Sequence, residues 1–303
     1  MNNNIPTFAI YQTSIDNFQR VQGDLSKVQT QVSTGNKVQN FADLGSNVGQ
    51  ALSLSALVTS NNNFTQNNTQ VISQLNIYDS ALQQIQTINT QLQSAITTER
   101  SADGAANPLA QTATQMLSTV KNLLNTEFNG QFIFSGGKTN TPPIGDLTVS
   151  NLVNNQPTAN YYNGDNMTLT TQAGTDINTP YGIKANNAAF SNLIGALNMA
   201  INSGNSNNPN TDPDLATAMD LTNSVSSALG NLRAMNGDTM SQLQQVNTNY
   251  ANDQIYIQNV QGDLMNTDIA QASVQVTEDQ TTLQAAYQIF AKISSLNLSD
   301  FIK

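Results

Sequence analysis

Apolar residues recur every seven positions at both ends of this chain, and that recurrence limits what the ends can become. Toward the C-terminus Ile269, Val276, Leu283 and Phe290 stand seven apart. Ala272, Ala286 and Ile293 take the second apolar position of the same repeat, with Asp279 as its one polar interruption. Near the N-terminus Tyr11, Phe18, Leu25 and Val32 keep the same spacing, with Val21 and Val28 between them. A narrow stripe of this kind suits helix packed on helix. A lone helix carrying it is marginal in water. The two ends are expected to bury each other, to be loose in an isolated chain, and to order when packed against copies or neighbours.

The stretch between the ends carries more of the same pattern, broken once. The spacing predicts an extended lead-in at Ile5-Pro6-Thr7, then a first helix from about Phe8 to Ser33, stopped at Thr34-Gly35-Asn36 with Gly35 in a left-handed cap. An irregular bend covers residues 38–47, and a long helix follows from about Ser46 to Arg100. Val71, Leu75, Tyr78, Leu82, Ile85, Leu92 and Ile96 keep its heptads, and Asn89 stands where an apolar residue is due. One buried Asn can set register at some cost in stability. Pro108 opens another helix, carrying Leu109, Ala113, Met116, Val120, Leu123, Leu124 and Phe128.

The period changes at Asn129-Gly130. Gln131 to Ser135 reads as a strand, Gly136-Gly137 as a turn, Leu147-Thr148-Val149 and Met167 to Thr170 as short strands, and Asn163-Gly164-Asp165 as a hairpin turn. Helix returns at residues 188–201. After a polar loop at Asn205 to Asn210, Asp212-Pro213 is a strong helix start. From there Leu215, Leu229, Leu243, Tyr250, Ile257 and Leu264 hold one heptad position, and Val225, Leu232, Val246 and Val260 the other. That phase puts its next core residue at Gln271, whereas the last segment uses Ile269 and Val276. The phase slips across Met265, Asn266, Thr267 and Asp268, which reads as the joint between two bundles. A straight helix would turn its apolar face by about 200° there; otherwise it bends or breaks.

Composition narrows the function classes. Only 10% of the residues are charged, the formal net charge is -10, and there is no basic cluster, so nucleic acid is not an expected partner. No Cys and no His remove disulfides, the commonest general base and the usual transition-metal ligands. No catalytic residue, metal site or cofactor is expected. Asp212, Asp214 and Asp220 suit the start of a helix better than a metal cluster. Gly130, Gly136 and Gly137 lack the spacing of a phosphate loop. No cleaved signal and no run of about 18 apolar residues is visible, so membrane insertion is not expected.

Several stretches resemble the bacterial flagellin family. Val32-Ser33-Thr34-Gly35-Asn36-Lys37-Val38 is similar to its I/L-S-T/S-G-x-K/R-I/V stretch, and Leu283-Gln284-Ala285-Ala286 with Leu296 to Ile302 is similar to its C-terminal end. Gly130 to Pro143 (GQFIFSGGKTNTPP) and the closing Ser299-Asp300-Phe301-Ile302 resemble the branch found at the junction of hook and filament. The bend at Phe41 to Ser46 departs from the family's S-x-D-D-P sequence.

The resemblance implies a structural, non-enzymatic protein with a mainly α fold: a long-helix coiled-coil bundle formed by the N- and C-terminal regions, with a small β-rich insertion. It implies an inner assembly domain from residues 1–38 with 266–303, a helical bundle with a β-hairpin from 39–145 with 186–265, and an outward-facing β-rich part from 146–185. It further implies export through the flagellar secretion apparatus with the help of an export chaperone, and assembly in a ring of copies between the first hook-associated protein and flagellin. A flagellin filament subunit is the alternative within the family. A secreted coiled-coil adhesin or translocator, and an enzyme built on carboxylates, are the alternatives outside it.

Overall fold

The structure is a computed structural model. It describes residues 4–38, 40–101, 108–145, 147, 152–153, 156–157, 161–203 and 212–301, with backbone alone for 4–11, 41–43, 152–153, 156–157 and 293–301. The sequence expectations at 102–104, 148–149 and 205–210 lie outside the described residues. The chain forms two compact units, one of residues 1–59 with 253–303 and one of residues 60–252.

Helix α1 spans Asn4–Thr34. The expected extended lead-in at Ile5 to Thr7 is instead helical, because Pro6 falls in the first turn, where no N–H partner is needed. Gly35 (φ +74°) ends it as a left-handed cap, with its N–H on the Gln31 carbonyl at 2.8 Å. A 3-10 segment, Phe41–Asn47, leads into α2, Val48–Ser101.

Helix α3, Leu109–Leu124, is shorter than the sequence pattern predicts, and Pro108 is its cap rather than its first residue. Asn125 explains the early stop. Its side-chain amide donates to the Ile144 carbonyl and accepts from the Ile144 N–H, both at 2.9 Å, so it serves a distant backbone like a strand partner. Phe128 therefore lies not on α3 but on β1, Glu127–Phe128, which pairs antiparallel with β2, Gln131–Phe132, across the Asn129-Gly130 turn. The expected strand to Ser135 ends at Phe132. Ile133, Phe134 and Ser135 form a 3-10 turn instead, because all three turn into the core.

Two further two-stranded sheets follow: β3, Leu152–Val153, with β4, Gln156–Pro157, and β5, Leu169–Gly174, with β6, Ile177–Tyr181. Leu147 lies outside any strand. The hairpin turn falls at Thr175-Asp176, not at Asn163 to Asp165. Asp165 is otherwise engaged: its Oδ1 accepts the N–H groups of Gly137 (2.7 Å) and Met167 (3.0 Å), and its own N–H donates to Ser135 O (3.1 Å). A Cβ on Gly136 (φ +68°) would stand 2.5 Å from that carboxylate, so only glycine fits beneath it. Ala173, Thr179 and Ala185 are buried, and the hairpin that carries the first two belongs to the second unit.

Helix α4 spans Ala188–Ser203 and α5 spans Pro213–Met265; Asp212 Oδ1 caps α5 by accepting the Asp214 N–H at 2.9 Å. α4 is apolar on most of its circumference and is correspondingly buried, packing on α3. Tyr78, Phe134 and Phe190 stack edge to face at 4.9 and 5.9 Å in the centre of this unit. The Tyr78 hydroxyl donates to the Ile133 carbonyl.

α2 and α5 face each other antiparallel through two heptad positions each. On α2, one row is Val71, Tyr78, Ile85, Leu92 and Glu99; the other is Asn61, Asn68, Leu75, Leu82, Asn89 and Ile96; all are buried. On α5, Thr222 and Asn236 fill the places between Leu215, Leu229 and Leu243, again buried. Asn68 Nδ2 donates to Asn247 Oδ1 (2.9 Å), Asn89 Nδ2 to Ser226 Oγ (2.8 Å) and the Thr222 carbonyl (2.9 Å), and Asn236 Nδ2 to the Leu75 carbonyl (2.9 Å). Arg233 makes a two-pronged pair with Asp79 at 2.8 and 3.1 Å. Buried amide N–H groups must find acceptors, and these find them across the seam, Asn68 Nδ2 also on the Ala173 carbonyl of β5 (3.2 Å), while Oδ1 of Asn68 and of Asn89 is enclosed without a hydrogen-bond partner.

Candidate functional site: the terminal helix pair

The last helix, α6, spans Ile269–Phe301 and packs antiparallel on α1. From α1, Phe18, Val21, Leu25, Val28 and Val32 each stand half-buried on one stripe. From α6, Ala272 and Leu283 are buried, Val276 and Ala286 half-buried, while Phe290 is 40% and Ile269 53% exposed. Ile269 thus stays outside the interface with α1. Tyr11 and Ile293 lie on the two helices, and their side chains lie outside the described ones. The ring of Phe18 meets Tyr287 edge-on at 4.9 Å, a contact the heptad reading missed because Tyr287 sits next to the seam rather than in it.

The seam is thin. Leu283 is its one large apolar side chain, among the described residues, that is buried. Asp279 shares that burial: Gln275 Nε2 donates to its Oδ1 at 2.9 Å, and its Oδ2 is enclosed with no hydrogen-bond partner. α6 also exposes large apolar side chains, Val274 at 59% and Ile289 at 58% away from the seam and Tyr287 at 58% at its edge. Beside it lies an open groove of about 380 Å³, walled by Ile15, Phe18 and Val21 of α1 and Ala286, Tyr287 and Ile289 of α6. Arg20 and Asp24, 3.4 Å apart on α1, form an exposed pair worth little.

The phase slip becomes a break. α5 ends at Met265 and α6 begins at Ile269, so Asn266, Thr267 and Asp268 form a non-helical joint. Two backbone hydrogen bonds tie this joint to the end of α1. Lys37 N–H donates to the Met265 carbonyl (2.6 Å) and Thr267 N–H donates to the Gly35 carbonyl (2.9 Å), which makes Asn36 and Asn266 an antiparallel bridged pair. Gln31 Nε2 braces the turn on the Lys37 carbonyl at 2.8 Å. Asp268 then restarts the helix: its Oδ1 accepts the N–H groups of Ala270 (2.9 Å) and Gln271 (3.2 Å). The glycine turn after α1 and the joint before α6 are one clasp, and the clasp aligns the two seams.

A thin seam on a helix with further exposed apolar side chains is the chemistry of helix association. Among the described residues no three acids lie where they could hold a metal ion, and no helix is long and apolar enough to cross a membrane. Residues 2–139 match the family model of the bacterial flagellin N-terminal helical region. The chain's resemblance is to the bacterial flagellin family. The flagellin-like chain is 25% identical over 320 residues to flagellar hook-associated protein 3 of Escherichia coli strain K12, covering 98% of this chain and 99% of that protein. It is 23% identical over 314 residues to flagellar hook-associated protein 3 of Salmonella typhimurium strain LT2, covering 97% and 98%. Its fold is similar to that of a flagellar hook-associated protein from Vibrio parahaemolyticus (TM-score 0.62, 12% identity, 71% of this chain and 96% of that one). It is also similar to Bacillus cereus FlgL (TM-score 0.55, 15% identity, 70% and 99%). The likeness supports a structural role in the flagellum, in assembly with other flagellar components.

Proposed function

We propose that this chain joins the flagellar hook to the filament, as a ring of copies seated between the first hook-associated protein and flagellin. The observation that carries this reading is the similarity to flagellar hook-associated protein 3 along nearly the whole of both chains. The terminal helix pair supports it in physical terms. Its own interface is thin, and the exposed apolar side chains Val274, Tyr287 and Ile289 on α6 stand ready for helices of neighbouring subunits. In this reading the inner assembly domain is residues 1–38 with 266–303, and Met265 to Asp268 joins it to the rest. The chain travels through the flagellar export apparatus with an export chaperone. Its role is structural, with no catalytic step and no cofactor.

Removal of the gene tests the proposal. A junction protein leaves hooks in place that carry no filament, and a plasmid copy restores both filament and swimming. Filaments that still grow without the gene would refute the junction role. Filaments made chiefly of this chain would make it the filament subunit instead.

A further inference from the structure

The middle of the α6 seam carries a carboxylate. Asp279 is as buried as Leu283, at 9% exposed. With Phe18 against Tyr287 and Asn36 against Asn266, the antiparallel register sets it opposite Leu25, with Val21 and Val28 a turn to either side. Its Oδ1 accepts from Gln275 Nε2 at 2.9 Å. Its Oδ2 is enclosed without a hydrogen-bond partner, and no cation among the described residues pairs with it. A carboxylate taken out of water and left half-partnered is unfavourable, and a well-packed apolar side chain in such a place is often the more stable choice.

A polar residue in a seam can set register, but only against a group on the facing helix. Asp279 has none. Its one donor, Gln275, stands a turn away on α6 and goes with it into any pairing. The carboxylate therefore selects no partner; its effect is to weaken the pair. We infer that Asp279 is a built-in weak point that keeps α1 and α6 able to part, so that the faces they hide from each other are open to helices of neighbouring subunits. The use made of the opening rests on the junction reading; the weak point does not. The clasp makes the opening reversible. Its two backbone hydrogen bonds, at Lys37 and Thr267, lie at one end of the pair, so helices that part along the seam stay tethered and close again within the chain.

Hydrogen exchange of the purified full chain tests the weak point, with Asp279→Leu set against Thr277→Leu, an exposed position two residues away. Thr and Asp rank together in helix propensity, so both substitutions bring the same local gain and only the first touches the seam. Asp279→Leu should slow exchange of residues 14–33 and 272–292 at least about tenfold. Thr277→Leu should slow it at most about threefold. Equal slowing by the two, or none, overturns the inference. Incorporation at the hook tip tests what the opening serves. The Asp279→Leu chain should join less well than the parent. Leu25→Ala or, for a smaller step, Val28→Ala thins the facing stripe. Whichever of these brings the Asp279→Leu chain back to parental exchange should also bring back incorporation. An Asp279→Leu chain that exchanges slowly yet assembles as the parent does shows that opening is not needed, and the inference falls. It falls too if the compensated chain has parental exchange and still does not assemble, because the carboxylate then acts through a contact of its own. Failure of the junction reading shows elsewhere, in filaments that grow without the gene, and leaves the exchange result as it stands.

Discussion

Replacing Leu283 separates the terminal helix pair from the rest of the molecule. The side chain is 9% exposed, against a partner stripe on α1 that is only half-buried. Leu283→Asp removes about 2 kcal/mol of apolar burial. It also places a carboxylate in an apolar seam, one turn from Asp279, whose Oδ2 is already enclosed without a partner. Desolvation and like charge add several kcal/mol, for a total of at least about 4 kcal/mol. The pair has no other large buried apolar group, among the described residues, to offset that. Hydrogen exchange followed by mass spectrometry reads the result. Amides of residues 14–33 and 272–292 should exchange up to about 1,000-fold faster than in the parent, bounded by the pair's own stability, while residues 71–96 and 215–243 stay protected. The protein should still leave the cell but should not join the hook tip. Leu283→Met, close in volume, should behave as the parent. Ile289→Ser, an exposed apolar position on α6, should keep parental exchange and still fail to assemble. Unchanged exchange in α1 and α6 of the Leu283→Asp protein, or normal incorporation, would refute the seam; normal assembly of Ile289→Ser would refute a role for that exposed side chain.

Two predictions concern pH. The backbone N–H groups of Gly137 and Met167, with Lys138 and Lys184 nearby, hold Asp165 below the usual carboxylate range. A depressed folded value means that the hydrogen bonds of Asp165 to the Gly137 and Met167 amides are fully formed above the ordinary carboxylate pKa and loosen as pH falls through the folded one; the Gly137 amide should lose exchange protection there, and Asp165→Asn should abolish the pH dependence. A Gly137 amide indifferent to acid would sink this account. At the other end, burial raises the hydroxyls of Tyr78 and Tyr161 beyond their ordinary value, and burial with the nearby Asp165 pushes Tyr162 up to about 12. Raised values stabilise the fold below an ordinary tyrosine pKa of about 10, and that contribution is lost as pH rises through the folded values. Absorbance at the phenolate band should therefore show these tyrosines ionising together with loss of helicity in circular dichroism; their ionisation in the intact fold would contradict the burial.

The sequence alone determined the long helices, because a seven-residue repeat of apolar positions is a local property that no other backbone period can satisfy. It also determined the helix start at Asp212, the glycine stop at Gly35, and the existence of a slip between Leu264 and Ile269, since capping chemistry and phase are written in neighbouring residues. The family likeness was legible for the same reason, in short continuous stretches. The tertiary structure decided everything that depends on a partner distant in sequence. Asn125 ends α3 because Ile144 comes to it, and Ile133 to Ser135 leave the strand because the core takes them. Thr222 and Asn236 look like gaps in a heptad and are instead buried polar members of it, the Thr222 hydroxyl satisfied on the Met219 carbonyl of its own helix and the Asn236 amide on the Leu75 carbonyl across the seam. Of the terminal stripe, the spacing could name Leu283 and Ile269 alike. Only the packing of α6 on α1 buries the first and leaves the second exposed, although both lie on one side of the helix: Ile269 is the first residue of α6, and Leu283 stands in its middle.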